Sequence, residues 1–390
     1  MTTSKNQFQF ATVPVFLSFL CMGFGDAVGP FVGLAREEFA LSNFTAGFIT
    51  FFGFIMFGIL SIPMGIFQDR KGKKFVLMLG LVIALLGLII PVFGSLNSFE
   101  VFIVTIFLLG TGAATLQVAG NPIMRDVSPE GKYSRNLSLG QFVKAIGSLS
   151  GAVIPPLAVS YFGLDWKILF PIYSSFILLT IVLLALSRVN EKRHEEAPHA
   201  SFKSCMELLF KNPYVLLMVT GIFLYVGAEV SVSQGIPLYL EEQFGINIAE
   251  KGLLGTGLFF TALVIGRFSG GLILNWLKPK TFLLITALIS ILGILGIFTG
   301  NESLSVSGFF ITGLGFANVF PLIFSITIER LPERSNELSG LMVTAIVGGA
   351  LVPLLMNGLS EVTSVLFSFI VPLACIGYIL YVGFRNLRIN

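Results

Sequence analysis

Apolar runs of about twenty residues alternate with short polar loops along almost the whole chain. A helix of that length, rising 1.5 Å per residue, crosses a hydrocarbon layer of roughly 30 Å. The runs lack the alternating apolar and polar positions of membrane β-strands. We therefore predict twelve membrane-spanning helices, at about 10–34, 44–68, 75–95, 100–127, 136–162, 167–188, 213–243, 250–276, 281–299, 303–330, 336–359 and 362–386.

The composition agrees with a chain that lies in lipid. Of the 390 residues, 55% are hydrophobic and 12% are charged, whereas soluble domains carry roughly a quarter charged residues. Cys21, Cys205 and Cys375 have neither pairing nor metal-ligand spacing, so we expect them to be packing residues. The sequence has no HExxH, GxSxG or phosphate-binding loop, which argues against an enzyme. We expect no cofactor and no bound metal, apart from a coupling ion.

The basic residues predict the orientation of the helices. An even number of spans puts both termini on one side, and 19 of the 24 Lys and Arg residues fall on that side, against three in loops on the other. Short cytoplasmic loops are enriched in Lys and Arg. We expect a multi-pass protein of the bacterial inner membrane with cytoplasmic termini. Its partners are then the lipid bilayer and a small-molecule substrate, with no nucleic acid, and we expect a monomer.

The two halves of the sequence resemble each other at an offset of about 200 residues. FFGFIMFGILSIPMG at 51–65 corresponds to FFTALVIGRFSGGLI at 259–273. Such parallel repeats of six helices are typical of major facilitator transporters, which hold substrate between the halves. The predicted architecture is an all-α integral membrane protein with two pseudo-symmetric six-helix bundles, 1–188 and 213–390, joined by a cytoplasmic loop at 189–212.

The loop after the second predicted helix carries a further motif. GIFQDRKGKK at 65–74 resembles the GxxxDRxGRR loop of the major facilitator superfamily. The resemblance implies that Gly65, Asp69, Arg70 and Gly72 gate the cytoplasmic side, with the Asp69 carboxylate facing basic residues and a neighbouring helix end. The alternative is that the basic residues only anchor the loop on the cytoplasmic side.

Three other segments resemble one particular family. LQVAGNP at 116–122, LSLGQFVKAIG at 137–147 and YVGAEVS at 225–231 are similar to the fucose/proton symporter family and its glucose/galactose branch. The resemblance implies alternating-access import of a sugar, a hexose or a derivative, by symport with a proton or sodium. The fucose branch carries a carboxylate at the position of Gln117. Lys144 stands where these families usually have an uncharged polar residue.

Four ionisable residues fall at membrane depth: Asp26, Lys144, Glu229 and Arg267. A charge there is costly, so each is expected to face a cavity or a partner. Asp26 matches the carboxylate of the first helix that the family uses for proton coupling, and Glu229 is a second coupling candidate. Lys144 is expected either to pair with Asp26 or Glu229 or to anchor an anionic substrate. Arg267 is expected to pair with a loop carboxylate or to reach the membrane surface.

Sugar sites combine amide and hydroxyl groups with an aromatic ring. The predicted substrate-binding residues are Gln117, Asn121, Gln141, Lys144, Tyr225, Glu229, Gln234 and Asn318, with Tyr239 and Phe320 as further aromatic candidates. Some amides could instead join helices to each other, and Asn121 before Pro122 could serve a helix break. Two other functions stay open at this point. One is a symporter of acidic sugars or organic anions that uses Lys144, and the other, less favoured, is an efflux antiporter.

Overall fold

A computed structural model of the chain describes residues 2–26, 35, 38–41, 43–94, 98–189, 191, 200–246 and 256–388. Within these ranges the regular secondary structure is helical, with no β-strand. Helices bond their own N–H and C=O groups, which lipid cannot do for them. The side chain of Asp26 and all of 27–34 lie outside the described residues, so the first predicted span, 10–34, is described only as far as residue 26.

Apolar helices lie at the twelve predicted positions. Nine helices of the described part are long and apolar enough to cross a membrane, a tenth is bent by 44°, and Thr12–Gly25 and Gly257–Ile273 are shorter. The bounds are α1 Thr2–Asp26, α2 Asn43–Lys71, α3 Lys73–Phe93, α4 Phe99–Asp126, α5 Tyr133–Phe162, α6 Leu169–Leu186, α7 Pro213–Phe244, α8 Thr256–Ile273, α9 Pro279–Ile297, α10 Glu302–Phe316 with Val319–Arg330, α11 Ser335–Thr344 with Gly348–Val362, and α12 Ile370–Arg388. The protein is a multi-pass membrane protein. Between α6 and α7 lies a short surface helix, Phe202–Lys211.

Contacts divide the chain into two compact units. Unit 1 comprises Met1–Tyr133, Gly140–Met206 and Leu331–Thr344, and unit 2 comprises Ser134–Leu139, Glu207–Arg330 and Ala345–Asn390. Each unit therefore includes a short segment that is remote in sequence, the start of α11 in unit 1 and the start of α5 in unit 2. The predicted domain boundaries at 188 and 213 stay a prediction.

In unit 1, α1 and α5 cross with their backbones in contact. A Cβ atom at Gly23 would lie 2.1 Å from the carbonyl oxygen of Lys144, and one at Gly147 would lie 2.3 Å from that of Leu20. A Cβ atom would clash at these distances, so only glycine permits the approach. Helices in lipid gain from such close packing of their backbones. The crossing brings the part of α5 that carries Lys144 against α1.

The helix α4 continues through Pro122 to Asp126, so of the two alternatives for Asn121 the helix break is excluded. Proline has no N–H to donate to the carbonyl four residues earlier, which is that of Val118. The hydroxyl of Ser339, from the start of α11 in unit 1, donates to this carbonyl at 2.6 Å. A side-chain hydroxyl thus replaces the missing backbone donor in a fully buried place.

We expect Ser339→Ala to lower stability by about 1–3 kcal/mol, because the carbonyl of Val118 is left buried without a donor. Thermal melting in detergent measures this. Adding Pro122→Ala should recover part of the loss, since alanine supplies the backbone donor. Ser360→Ala is the control, because the Ser360 hydroxyl bonds the carbonyl of Asn357 at an exposed place. A melting temperature of Ser339→Ala equal to that of the control would contradict this account.

Candidate functional site

A buried polar ladder joins α4 and α5 in unit 1. Gln117 and Asn121 lie one turn apart on α4, and Gln141 and Lys144 lie one turn apart on α5, so each pair shares a helix face. The Lys144 Nζ donates to the Gln117 Oε1 at 2.9 Å, and the Gln141 Nε2 lies 3.5 Å from the Asn121 Oδ1. All four residues are buried. The sequence predicted these four as substrate ligands, and the structure brings them together.

Asn121 has one hydrogen-bond donor that is not used by the described residues. Its backbone carbonyl accepts from the Tyr133 hydroxyl at 2.9 Å, while its Nδ2 is buried and has no hydrogen-bond partner among the described residues. A buried donor without an acceptor costs about 1–3 kcal/mol. An acceptor such as a substrate hydroxyl would remove that cost, so the ladder suits a ligand rich in hydroxyl groups.

Lys144 has two expected partners. Glu229 pairs with Arg267 within unit 2, and its pairing with Lys144 of unit 1 stays a prediction. The side chain of Asp26 lies outside the described residues, so its pairing with Lys144 and its coupling role stay predictions.

In unit 2, Glu229 of α7 and Arg267 of α8 form an ion pair at 3.4 Å. The Arg267 Nε also donates to the carbonyl of Ala317 at 3.4 Å. The prediction of a loop partner for Arg267 is therefore wrong, because the facing helix supplies the carboxylate. Such pairing offsets the cost of both charges at membrane depth. Tyr225, one turn before Glu229, is fully buried, lies beside this pair and packs edge-on against Phe316.

Among the other described candidates of unit 2, Asn318 lies next to the Glu229–Arg267 pair, and the rest are exposed, bonded or packed elsewhere. Asn318, at the break in α10, donates to the carbonyl of Gly266 at 2.6 Å and thereby joins α10 to α8. Gln234 is exposed on α7. Tyr239 is a core residue, whose hydroxyl bonds the carbonyl of Ile297 and the hydroxyl of Ser305 at 3.1 and 2.9 Å. Phe320 is buried against Phe324.

The motif after α2 is built into contacts within unit 1. The Asp69 carboxylate accepts from the Asn336 Nδ2 at 2.9 Å and from the backbone N–H of Ala200 at 3.0 Å. Gly65 lets α2 approach the start of α11, since a Cβ there would lie 2.8 Å from the carbonyl oxygen of Asn336. Asp69 thus contacts a neighbouring helix end, as the motif predicted. Whether this contact gates transport stays a prediction.

The remaining motif residues have separate roles. Gly72 has a φ of 95°, which favours glycine, and makes the turn between α2 and α3. Arg70 is exposed. The basic residues that follow form an ion pair and a hydrogen bond that the sequence did not predict. The Lys73 Nζ pairs with the fully buried carboxylate of Asp126 at 2.6 Å, and the Lys74 Nζ donates to the carbonyl of Ser187 at 2.7 Å.

Helix ends explain part of these contacts. The carboxylate of Glu191 accepts from the backbone N–H groups of Lys73 and Lys74, each at 2.9 Å, and so caps the start of α3. A negative charge is favourable at a helix N-terminus. Glu191 lies 118 positions after Lys73 in the sequence. The sequence therefore gave no signal for this contact.

A second polar cluster in unit 1 surrounds the start of α11. The Glu337 carboxylate accepts from Arg334 and from the hydroxyl of Ser204 in the surface helix. Burial raises the pKa of Cys205 to about 12, and the charge of Glu337 acts in the same direction. This agrees with the predicted packing role of the cysteine. In the described part of the chain, no group of three or more His, Cys, Asp or Glu side chains could hold a metal ion.

Comparison with known proteins places this fold in a class. The sequence profile of the Major Facilitator Superfamily matches residues 15–353. The crystal structure of a transporter of that superfamily, FucP, in the outward conformation superposes with a TM-score of 0.85 at 22% identity, covering 97% of this chain and 98% of that one. The chain therefore belongs to the major facilitator superfamily, and it is a transporter and not an enzyme.

Relatives narrow the family further. A putative glucose/galactose transporter of Helicobacter pylori is 28% identical over 387 residues, which is 90% of each chain. A glucose/galactose transporter of Brucella abortus is 25% identical over 398 residues, covering 98% of this chain and 95% of the relative. An L-fucose-proton symporter of Haemophilus influenzae is 24% identical over 412 residues, covering 95% of each. The chain is thus similar along nearly its whole length to glucose/galactose transporters and to an L-fucose-proton symporter, in agreement with the resemblance that the three motifs carry.

Proposed function

We propose that this protein imports a neutral hexose or a close derivative by symport with protons. The observation that carries the proposal is the buried ladder of Gln117, Asn121, Gln141 and Lys144, which offers several donors and acceptors to a polyhydroxylated ligand. The names of the relatives, glucose/galactose transporters and L-fucose-proton symporters, support both the sugar and the proton. Sodium is the second candidate ion. Uptake of labelled hexoses with a proton uncoupler, and in sodium-free buffer, separates the two.

Alternating access is part of this proposal, with Asp26 as the site of the coupling proton. It is a carboxylate near the middle of the chain's first apolar run, and the two histidines, His194 and His199, fall in a polar loop. Glu229 is the second coupling candidate, although the ion pair with Arg267 already occupies it.

We expect Asp26→Asn to abolish accumulation of sugar against a gradient while exchange across the membrane continues, because asparagine carries no titratable proton. Proteoliposomes loaded with labelled and unlabelled sugar measure both processes. Glu38→Gln is the control carboxylate. In the wild type the Glu38 carboxylate accepts a hydrogen bond from Lys167 at 2.6 Å, which lowers the pKa of Glu38. Glu38 is therefore ionised at neutral pH and does not exchange a proton during transport. Accumulation by Asp26→Asn at the wild-type level would exclude Asp26 as the coupling site.

Lys144 favours a second candidate function, symport of acidic sugars or organic anions. An ammonium in a buried polar ladder is a strong point anchor for a carboxylate. We prefer the neutral sugar, because the Lys144 ammonium already donates to Gln117 within the ladder and the named sugars of the relatives are neutral. In this view Lys144 holds Gln117 in place and pairs with Asp26.

We expect Lys144→Gln to lower stability by about 3–5 kcal/mol, because removal of one member of a buried ion pair leaves the other charge uncompensated. Adding Asp26→Asn should restore much of the stability. Melting temperature and binding of glucose and glucuronate measure the outcome, with the exposed lysine variant Lys211→Gln as control. Unchanged stability of Lys144→Gln together with selective loss of glucuronate binding would support the anionic substrate instead.

We assign a gating role to Asp69 with Gly65, Arg70 and Gly72 as its framework. The Asp69 carboxylate bonds the start of α11 and the segment before the surface helix, so release of these two bonds would free both. A hydrogen bond to a charged group is worth about 1.5–3 kcal/mol, enough to bias a conformational equilibrium by roughly ten- to hundredfold.

We expect Asp69→Ala to speed alkylation of a cysteine placed at Gln68 by about tenfold or more and to slow transport. Gln68 is buried beneath the start of α11 and its Nε2 lies 3.5 Å from the Asn336 carbonyl. The measurement uses a chain whose three cysteines are replaced by serine. Arg70→Gln, which changes an exposed neighbour, should leave the alkylation rate unchanged. Equal rates in both variants would show that Asp69 only anchors the loop.

The proposal includes the location. The basic residues support an inner membrane orientation with cytoplasmic termini, since 19 of 24 lie on the side that carries both ends. We propose that a single chain is the functional unit, since each unit holds its own polar cluster without a second copy.

A further inference from the structure

A basic cavity lies in unit 2 at the place where α7 and α9 begin and α10 ends. Its volume is about 420 Å³, and its lining includes Tyr214, Lys278, Lys280, Glu329 and Arg330. The lining thus contains three cationic side chains, from two different helix ends, and one carboxylate. The excess of positive charge suits an anion.

The geometry around Arg330 favours a fixed site over a loose cluster of surface charges. The guanidinium carbon of Arg330 lies 4.2 Å from the centre of the Tyr214 ring. The Tyr214 hydroxyl donates to the Asn386 Oδ1 at 3.1 Å, which holds the ring in place. Lys278 precedes the first turn of α9, where the helix dipole adds a partial positive charge. Backbone and side-chain charges therefore have the same sign at this point.

Neighbouring side chains place the cavity at the level of the lipid headgroups. Trp276, two residues before Lys278, is 83% exposed. Tryptophan is enriched at membrane–water interfaces, where lipid headgroups lie. From the cavity, α9 leads away with a stripe of exposed apolar residues at helical spacing, Ile285, Leu288 and Leu292, exposed by 37%, 43% and 65%. Such a stripe is suited to acyl chains.

We propose that this cavity binds the phosphate headgroup of an anionic phospholipid, whose acyl chains lie along the exposed stripe of α9. Basic pockets at the ends of membrane helices bind anionic headgroups by this chemistry. The exposed apolar stripe on the same helix, α9, favours a lipid over a soluble phosphate, which makes no contact with such a stripe. The inference needs only the membrane embedding of the chain and is independent of the transported substrate.

The test uses the full chain in detergent, with native mass spectrometry to count bound lipid. The probes are dioleoyl phosphatidylglycerol and dioleoyl phosphatidylcholine, which share acyl chains and differ in net charge. The test variant combines Lys278→Gln, Lys280→Gln and Arg330→Gln. The matched control combines Arg188→Gln, Lys203→Gln and Lys211→Gln, which removes the same charge from exposed positions outside the cavity.

Each basic side chain near an anionic headgroup strengthens binding about fivefold, so the test variant should bind phosphatidylglycerol roughly a hundredfold more weakly. The control variant should bind it as the wild type does. Equal loss in both variants would show diffuse attraction without a site. Equal binding of the two lipids by the wild type would also overturn the proposal. Displacement of phosphatidylglycerol by millimolar inorganic phosphate would assign the cavity to a soluble anion instead.

Discussion

Each backbone carbonyl and N–H group inside the bilayer needs a hydrogen-bond partner from the protein, because lipid supplies none. This requirement explains why the described part of the chain is built from helices. It also explains the exceptions. Pro122 removes a donor from α4, and the hydroxyl of Ser339 replaces it at the carbonyl of Val118. Where α10 breaks, the Arg267 Nε of α8 donates to the carbonyl of Ala317. In both places the repair also joins two helices.

The same requirement applies to polar side chains, and the two units meet it differently. In unit 1 the amides of α4 and α5 bond each other and Lys144, while the Nδ2 of Asn121 has no partner among the described residues. In unit 2, Glu229 and Arg267 neutralise each other across α7 and α8. Unit 1 therefore holds a connected set of amides around an ammonium, and unit 2 holds an ion pair.

Helix ends carry most of the remaining polar chemistry. The buried pair of Lys73 and Asp126 joins the start of α3 to the end of α4, and Glu191 caps α3. Asp69 connects the end of α2 to Asn336. Because peptide groups at helix ends lack partners within the helix, they attract charged side chains. In the folded chain, residues of this basic loop motif therefore form separate hydrogen bonds and ion pairs with neighbouring helix ends.

The sequence by itself determined the helices, their approximate positions and the family, because the apolar runs have to match the bilayer thickness and the motifs are specific. It also predicted a polar group of Gln117, Asn121, Gln141 and Lys144, which the structure brings together. It could not assign partners, since these depend on which faces of distant helices meet. Arg267 found Glu229 on the facing helix and not a loop carboxylate, Asn318 joined two helices, and Tyr239 became a core residue. Only the tertiary structure decided these roles, because residues about forty or more positions apart in sequence were brought within hydrogen-bonding distance by packing.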